Sequence, residues 1–286
     1  MSLTKQQLKD RKKGLFGTDA SMADGTNDYH DEYYLYKVKR GEWDDRIEPA
    51  PHLDIGHELE DYIARSYTQR TGNRVRRDNR TVWNKKYLYD GEPFMGSHVD
   101  RKVVGKKRIL ECKTAYSRNK WGKDGSGNIP PNYRSQIKHY CLVLGIHEAD
   151  LAVLFMSFPP TLEVHSFDFS SIELDELLRK EKAMWNKIVK GIEPNVGYTL
   201  STNKKLREDF PESSEDLIIS TIDINKAVNE LKDIKSGIKD LSEAKLQHAN
   251  KIIHHMKEGG VLVDHEGDEI ATFKTDSKGV RKLLIK

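Results

Sequence analysis

The chain has 286 residues, enough to bury a substantial core, and this length favours one main domain with a smaller addition. Although 33% of the residues are charged and the mean hydropathy is −0.73, the aromatic and branched residues exclude a wholly disordered chain. The 48 basic and 45 acidic residues leave a net charge of only +3, so total charge indicates no class of partner.

The N-terminal part of the chain predicts two helices. Residues 4–13 form a short polar helix, which is followed by the glycine-punctuated segment GLFGTDASMADG. Residues 54–71 form a longer helix that ends at Gly72-Asn73, because its apolar side chains follow the helical period: Leu59, Tyr62, Ile63 and Tyr67.

The middle of the chain mixes strands and helices. Residues 74–89 predict strands, and residues 99–104 and 108–114 predict two more. After a loop rich in Gly, Asn and Pro, the pattern predicts a helix over 133–144, strands over 149–156 and 162–169, and a helix over 171–189. This mixture predicts an α/β (α+β) core, with a mixed central sheet flanked by helices.

The C-terminal third predicts a linker and an extension. The polar segment 201–216 ends in FPESSED, so we place the main domain at 1–200, a linker at 201–220 and an extension at 221–286. One amphipathic helix, or two broken near Ser236-Gly237, follows from a stripe of apolar residues: Ala227, Leu231, Ile234, Ile238, Leu241, Ile252 and Met256. We expect this stripe to pack on the core or on another subunit. The tail VLVDHEGDEIATFK predicts a β-hairpin that turns at residues 265–268.

Targeting and redox signals exclude several classes of protein. Two cysteines, Cys112 and Cys141, do not make a disulfide framework or a cysteine-built metal site. The N-terminal segment has no apolar stretch typical of a secretory signal, and the longest apolar run, residues 151–156, is too short to span a bilayer. We therefore expect a soluble, cytoplasmic protein.

Basic residues form two clusters on either side of the stretch GSHVD: Arg74, Arg76, Arg77, Arg80, Lys85 and Lys86, then Arg101, Lys102, Lys106, Lys107 and Arg108. Basic runs beside carboxylates suggest a polyanionic substrate held near a cation site. The alternative is a solvated basic face.

Residues 96–113, GSHVDRKVVGKKRILECK, predict a hairpin with a defined register. If Gly105-Lys106 is a two-residue loop, Asp100 lies opposite Glu111, and Lys113 shares the face of Glu111. Two carboxylates that close repel each other unless a cation lies between them, and oxygen ligands suit Mg²⁺ or Mn²⁺. The alternative is an ordinary salt-bridged hairpin, although Ile109, Leu110 and Cys112 indicate a partly buried strand.

Asp100 followed by Glu111-Cys112-Lys113 resembles the core of the PD-(D/E)xK nuclease superfamily, and more narrowly its phage-type branch of lambda exonuclease and YqaJ-like viral recombinases. The resemblance runs from about residue 8 to residue 195. Its motifs occur in a consistent order: R…GTDAS, G-x-x-x-E at 56–60, GSHVD at 96–100, ECK at 111–113 and Q-x-x-x-Y at 136–140.

The resemblance implies roles for five residues of the central site. Asp100, Glu111 and the Cys112 carbonyl would hold metal, with Glu60 helping directly or through water, and Lys113 would be the catalytic lysine. It also implies a restriction-endonuclease-like fold and Mg²⁺ as cofactor, replaceable by Mn²⁺, with two ions per site. From the residues alone, Glu60 is equally an exposed helix residue.

The resemblance also implies groups that contact DNA. Gln136 and Tyr140 share one helix face and would orient a phosphate or Lys113, although Tyr140 alone is as typical of a core aromatic residue. Arg11 and Thr18 match positions that bind a 5′-terminal phosphate, and an arginine fork with a hydroxyl suits a phosphate dianion. His98 departs from the family pattern and is either a phosphate contact or a structural histidine.

By resemblance, the protein is a Mg²⁺-dependent exonuclease that digests linear double-stranded DNA 5′ to 3′ and leaves 3′ single strands for phage-type recombination. Expected partners are DNA, a phage single-strand annealing protein and further copies of the chain, in a trimeric ring, within a bacterial host cell. Two alternatives stay open: an endonuclease or single-strand-specific nuclease with the same site, and a non-catalytic DNA-binding or scaffold protein.

Overall fold

A computed structural model describes residues 4–44, 50–78 and 80–286, without the side chains of residues 51–53. The described residues form two compact units, Met1–Glu212 and Ser213–Lys286. The first unit contains seven helices among its described residues: α1 (Lys5–Arg11), α2 (Gly17–Ala23), α3 (Glu32–Lys39), α4 (Pro51–Thr71), α5 (Pro131–Leu144), α6 (Ser171–Lys190) and α7 (Leu200–Asp209).

The strands of the first unit build one main sheet and two short pairs. They are β1 (Val75–Arg77), β2 (Val82–Trp83), β3 (Leu88–Tyr89), β4 (Glu92–Pro93), β5 (Gly96–Ser97), β6 (Arg101–Val103), β7 (Arg108–Ala115), β8 (Glu148–Phe155) and β9 (Thr161–Asp168). In the described residues the main sheet has the order β1-β6-β7-β8-β9, and only its β7–β8 pair is parallel. The prediction of a mixed sheet flanked by helices is therefore confirmed.

Helices cover both faces of this sheet. On one face α4 packs Ile63, Ala64 and Tyr67 against Leu110 and Cys112 of β7 and against neighbouring strand residues. The opposite face of the same strands carries Ile109, Leu151 and Val153 into a larger core with α2, α3, α5 and α6. Because successive strand residues point to opposite faces, β7 can bury Cys112 on one side and turn Glu111 to the other.

A parallel pair needs a crossover, and α5 provides it between β7 and β8. Gly145, in the left-handed region at φ 65°, ends the helix as its C-cap. This connection brings one face of α5 over the β7 residues that the sequence predicted as catalytic.

The predicted elements correspond to observed ones with ends shifted by a few residues, but three corrections are needed. The glycine-punctuated segment contains helix α2, and α3 was not predicted. The predicted linker begins with helix α7, whose Thr202 is buried and donates to Asp31. Residue 79, within the predicted strand region 74–89, lies outside the described residues.

The second unit contains α8 (Ile222–Met256), β10 (Val261–Val263), β11 (Glu269–Thr275) and β12 (Arg281–Ile285). The helix is one continuous element, so the alternative of two helices broken near Ser236-Gly237 is wrong. The predicted hairpin is the β10–β11 pair, and β12 adds a third strand that was not predicted. Arg281 ties this sheet to the end of the helix by donating to the carbonyls of Lys257 and Gly259. No helix in the described part of the chain is long and apolar enough to cross a membrane.

Candidate active site

The hairpin of β6 and β7 has the register that the sequence predicted. Arg101 pairs with Leu110 and Lys102 with Ile109, which places Asp100 opposite Glu111. The Asp100 carboxylate accepts a hydrogen bond from the backbone N–H of Cys112 at 2.9 Å. Asp100 is therefore held against the strand that carries the other predicted metal ligands.

The turn of this hairpin differs from the prediction. Lys106 N donates to Val103 O at 3.4 Å, so Val104 and Gly105 are the central residues and the predicted two-residue loop is wrong. Gly105 adopts φ 77°, where a side chain is strained. Four residues, 104–107, leave the pairing, yet the register is unchanged because the loop gains residues on both sides.

Glu111 and Lys113 form an ion pair on the face opposite Cys112. Lys113 Nζ lies 2.7 Å from Glu111 Oε1 and 5.1 Å from the centre of the Tyr133 ring. Glu111 is 3% exposed, and its second oxygen, Oε2, is buried without a hydrogen-bond partner among the described residues. A buried carboxylate oxygen that no donor satisfies is rare and is a ready ligand for a cation.

The charges of this cluster shift one another's pKa. Burial, reinforced by the like charge of Glu111, raises the pKa of Asp100 well above its usual range. Burial by itself would lower the pKa of Lys113, but the carboxylates of Glu111 and Asp100 outweigh burial and raise it above its ordinary value. Lys113 is therefore a permanent cation at neutral pH, whereas burial raises the pKa of the Cys112 thiol and keeps it neutral.

Gln136 joins this cluster to Tyr140 across one face of α5. The Gln136 amide donates to Glu111 Oε1 and to the Tyr140 hydroxyl, both at 2.8 Å. Burial, then the charge of Glu111, raises the pKa of Tyr140, so the phenol stays protonated. A Cβ atom at Gly17, the first residue of α2, would lie 2.5 Å from the Tyr140 ring. The glycine of the GTDAS motif thus makes room for Tyr140.

Arg11 and Thr18 meet at one wall of the cleft, as predicted. Arg11 Nη2 donates to Thr18 Oγ1 at 2.6 Å and lies 3.7 Å from Asp19. Asp19 is buried, pairs with Lys39 at 2.5 Å and accepts from Phe16 N. Lys39 also donates to the Arg11 carbonyl at 2.7 Å, so the buried Asp19–Lys39 pair fixes the corner that carries Arg11.

His98 is built into the wall of the cleft. Its ring stacks on Phe16, with 4.9 Å between ring centres, and its Nε2 lies 3.0 Å from Thr81 Oγ1. Burial and the charge of Arg11 lower the pKa of His98 to about 4, against an opposing contribution from Asp10. His98 is therefore neutral at pH 7 and supports the wall of the cleft without adding positive charge.

Glu60 is engaged by a guanidinium. Arg101 Nη1 donates to the Glu60 carboxylate and, at 2.6 Å, to the Asp100 carbonyl. No group of three or more His, Cys, Asp and Glu side chains within the described ranges converges as a metal cluster. The structure thus groups Asp100 with Glu111 and holds Glu60 on Arg101.

The predicted residues line one cleft of about 910 Å³: Arg11, Thr18, Glu60, His98, Asp100, Glu111, Cys112, Lys113, Gln136 and Tyr140. The sequence analysis missed Asp19 and Arg101. Asp19 stands inside the GTDAS motif but received no role. Arg101 lies two residues from each of the buried residues Val99 and Val103, a spacing of two that could have revealed its burial.

The two basic clusters do not form the cleft, which corrects the interpretation of their charges. Among the described residues, the basic side chains that line it are Arg11, Lys113 and Lys120. Several cluster members are neutralised by carboxylates elsewhere. Arg108, for example, pairs with Glu148 at 2.6 Å and with Asp150 at 2.7 Å.

Comparisons with known proteins identify a family and a shared fold. Residues 6–147 match the family model of the YqaJ-like viral recombinase domain. The chain is 29% identical over 262 residues to the uncharacterized protein YqaJ of Bacillus subtilis (strain 168), an alignment that covers 88% of this chain and 77% of that protein.

Two solved structures share the fold. The alkaline exonuclease LHK-Exo from Laribacter hongkongensis has a TM-score of 0.51 and 13% identity, over 73% of this chain and 99% of the exonuclease. A putative exonuclease from Eubacterium rectale has a TM-score of 0.50 and 14% identity, over 78% of this chain and 98% of that chain. At these identities the likeness is one of fold. Residues 6–147 of this chain thus match the YqaJ-like viral recombinase domain, the family that the order of the motifs predicted.

Proposed function

We propose that the protein is a metal-dependent DNA exonuclease that digests linear double-stranded DNA from 5′ to 3′. The observation that carries this proposal is the arrangement of Asp100, Glu111 and Lys113 in one cleft, with Glu111 Oε2 buried and lacking a hydrogen-bond partner in the described structure. The family and the fold shared with exonucleases support the same chemistry.

The donor set suits a hard divalent cation. Asp100 and the free oxygen of Glu111 would hold Mg²⁺ or Mn²⁺, with the Cys112 carbonyl as a further oxygen ligand. Burial, and then the like charge of Glu111 opposite, raises the pKa of Asp100, and a bound cation would offset that repulsion. When bound, the cation supplies a Lewis acid that polarises the scissile phosphate.

The residues of the chain supply positioning and charge. The ammonium of Lys113 is held by Glu111 and stays protonated, so it can donate to the attacking water and stabilise charge that develops on the phosphate oxygens. Gln136 fixes both the Glu111 oxygen that Lys113 contacts and the Tyr140 hydroxyl. Tyr140, a neutral phenol, remains available as a hydrogen-bond donor to phosphate.

The Arg11 corner supports recognition of a DNA end. Arg11 and Thr18 present a guanidinium beside a hydroxyl within the same cleft as the metal ligands, which suits a terminal 5′-phosphate. The neutral ring of His98 stacks on Phe16 and forms part of the cleft wall. This corner favours an exonuclease over an enzyme that cleaves internally.

The biological task that we propose is production of 3′ single strands for phage-type recombination, with a single-strand annealing protein as partner and self-association of the chain as a route to holding DNA. The support is the viral recombinase family of residues 6–147.

The proposal is tested by time-resolved digestion with Mg²⁺. We expect linear duplex with 5′-phosphate ends to be degraded and closed circular duplex to survive. Glu111→Ala and Lys113→Ala should each lower the rate by at least about a hundredfold. Glu148→Gln, which alters a carboxylate paired with Arg108 outside the cleft, should leave the rate unchanged.

The outcomes separate the alternatives. Cleavage of closed circular duplex would indicate an endonuclease. Degradation of single-stranded DNA, with every duplex form left intact, would indicate a single-strand-specific enzyme. If every DNA form survives with Mg²⁺ and with Mn²⁺, the protein is a non-catalytic DNA-binding or scaffold protein. Full activity in both the Glu111→Ala and Lys113→Ala variants would refute the site assignment.

A further inference from the structure

A buried cation borders the proposed metal site. Arg101 in β6 is 3% exposed and points toward α4, away from the Glu111 face of β7. Its Nη1 donates to the Asp100 carbonyl at 2.6 Å and to the Glu60 carboxylate. A buried guanidinium is stable only when its charge and its donors are compensated, so these contacts are tightly determined.

A second arginine strengthens the hold on Glu60. Arg101 Nη2 donates to Asp61 Oδ1 at 2.5 Å, and Arg77 donates to the same oxygen at 2.7 Å. Arg77 also lies 3.8 Å from Glu60 Oε1. The Glu60 carboxylate, which lines the cleft, thus shares its charge with two guanidinium groups.

This arrangement bears on how many ions the cleft binds. By the resemblance, Glu60 is the helix carboxylate that would help to hold a second ion. A fixed guanidinium that already contacts Glu60 and the Asp100 backbone repels a further cation at that side. On the opposite side, Glu111 Oε2 is buried and no donor of the described residues reaches it. The cation nearest to that side is Lys113, which contacts the other oxygen, Glu111 Oε1.

We propose that Arg101 takes the place of a second metal ion, so that the cleft binds one divalent ion, at Asp100 and Glu111, while Glu60 serves as the partner of Arg101. This inference rests on the proposed metal-dependent nuclease and replaces the two ions that the resemblance implied. Arg101 is a positioning residue: it fixes the Asp100 backbone and the position of Glu60.

The test is the stoichiometry of Mn²⁺ binding to the full chain without DNA, measured by electron paramagnetic resonance of free Mn²⁺ and by calorimetry. We expect one ion per chain in the parent. Glu60→Gln, which keeps an acceptor for Arg101, should retain that ion with a Kd within about threefold, whereas Glu111→Gln should weaken it by more than about tenfold. Arg101→Met should acquire a second, weaker ion that disappears again in the Arg101→Met, Glu60→Gln double variant.

Each measurement has a result that would overturn the inference. Two ions in the parent, one of them lost in Glu60→Gln, would overturn the inference while leaving a DNA-cleaving enzyme intact. A single ion in Arg101→Met would show that Arg101 does not exclude the second one. If Arg101→Met fails to fold, as judged by circular dichroism, the Glu60→Gln arm decides alone. Absence of Mn²⁺ binding in the parent, together with absence of DNA cleavage, would refute the proposed function itself.

Discussion

Gly17 offers a sharp test of how the site is assembled. In Gly17→Ala, the added Cβ would lie 2.5 Å from Tyr140 Cε1, 2.7 Å from Cζ and 2.8 Å from the hydroxyl oxygen. These distances are all shorter than a methyl group tolerates. Tyr140 is 5% exposed and held by Gln136, so movement of the ring away from the methyl group would strain that hydrogen bond.

The expected magnitude follows from the two interactions that the methyl group disturbs. Overpacking a dense core costs about 1 to 3 kcal/mol, which lowers the melting temperature of a unit of this size by about 2 to 12 °C. Loss of the Gln136–Tyr140 hydrogen bond removes about 0.5 to 1.5 kcal/mol of positioning, or about two- to thirteenfold in rate. Both the loss of stability and the loss of rate come from the clash with Tyr140, because alanine is compatible with the backbone at the start of a helix.

A second glycine in the same cleft provides the control. A Cβ at Gly56, within α4, would meet its nearest neighbour, Thr114 Oγ1, at 3.5 Å, an ordinary contact. Gly56→Ala should therefore raise stability by about 0.5 to 1 kcal/mol, because alanine favours the helix, and leave the cleavage rate within about threefold. Thermal denaturation and the cleavage rate of linear duplex measure both variants. If Gly17→Ala melts and cleaves like the parent, or if Gly56→Ala loses as much, the packing argument is wrong.

Two further predictions concern the buried ion pairs. Burial alone lowers the pKa of His139, but Glu181, at 2.8 Å, outweighs it and raises the pKa above 6.5, so the pair stabilises the fold fully below about pH 6.5 and loses this contribution as pH rises through the folded-state pKa. The difference in unfolding free energy between parent and Glu181→Gln in urea should therefore shrink from pH 6 to pH 9, and a difference that grows would contradict the assignment. Asp19→Asn leaves two cations near a neutral amide and should destabilise the protein by about 3 to 5 kcal/mol, whereas Glu208→Gln, at an exposed pair, should leave the urea midpoint unchanged.

Local patterns were sufficient for much of the site. The register of β6 and β7 follows from alternation along the strands and a glycine turn, so Asp100 and Glu111 were placed opposite each other even though the turn was assigned one residue out. The four-residue spacing of Gln136 and Tyr140 placed both on one helix face. Helix α2 was missed because a glycine and polar residues interrupt its apolar pattern, and α3 because its apolar residues 33–36 are consecutive and show no helical period. Packing within the main core stabilises both helices despite this weak local pattern.

Charge was the property that sequence inspection judged least well. Arg101 and Arg108 were counted with a basic surface, yet Arg101 is buried and Arg108 is paired with two carboxylates on the neighbouring strand β8. The sequence around a charged residue does not predict its ion-pair partners, because those partners come from distant segments of the chain. Whether such a residue faces DNA or neutralises a carboxylate depends on burial.

The amino-acid sequence by itself determined most of the elements and the hairpin register, because these depend on periodicities of two or four residues, and the family resemblance supplied the residues proposed for the site. Only the tertiary structure decided that α5 brings Gln136 onto Glu111, that Gly17 makes room for Tyr140, and that Arg101 binds Glu60 across 41 residues of chain. These contacts join separate segments, and the packing of helices on both faces of the sheet selects them. The single ion that we propose for the cleft is inferred from this last contact.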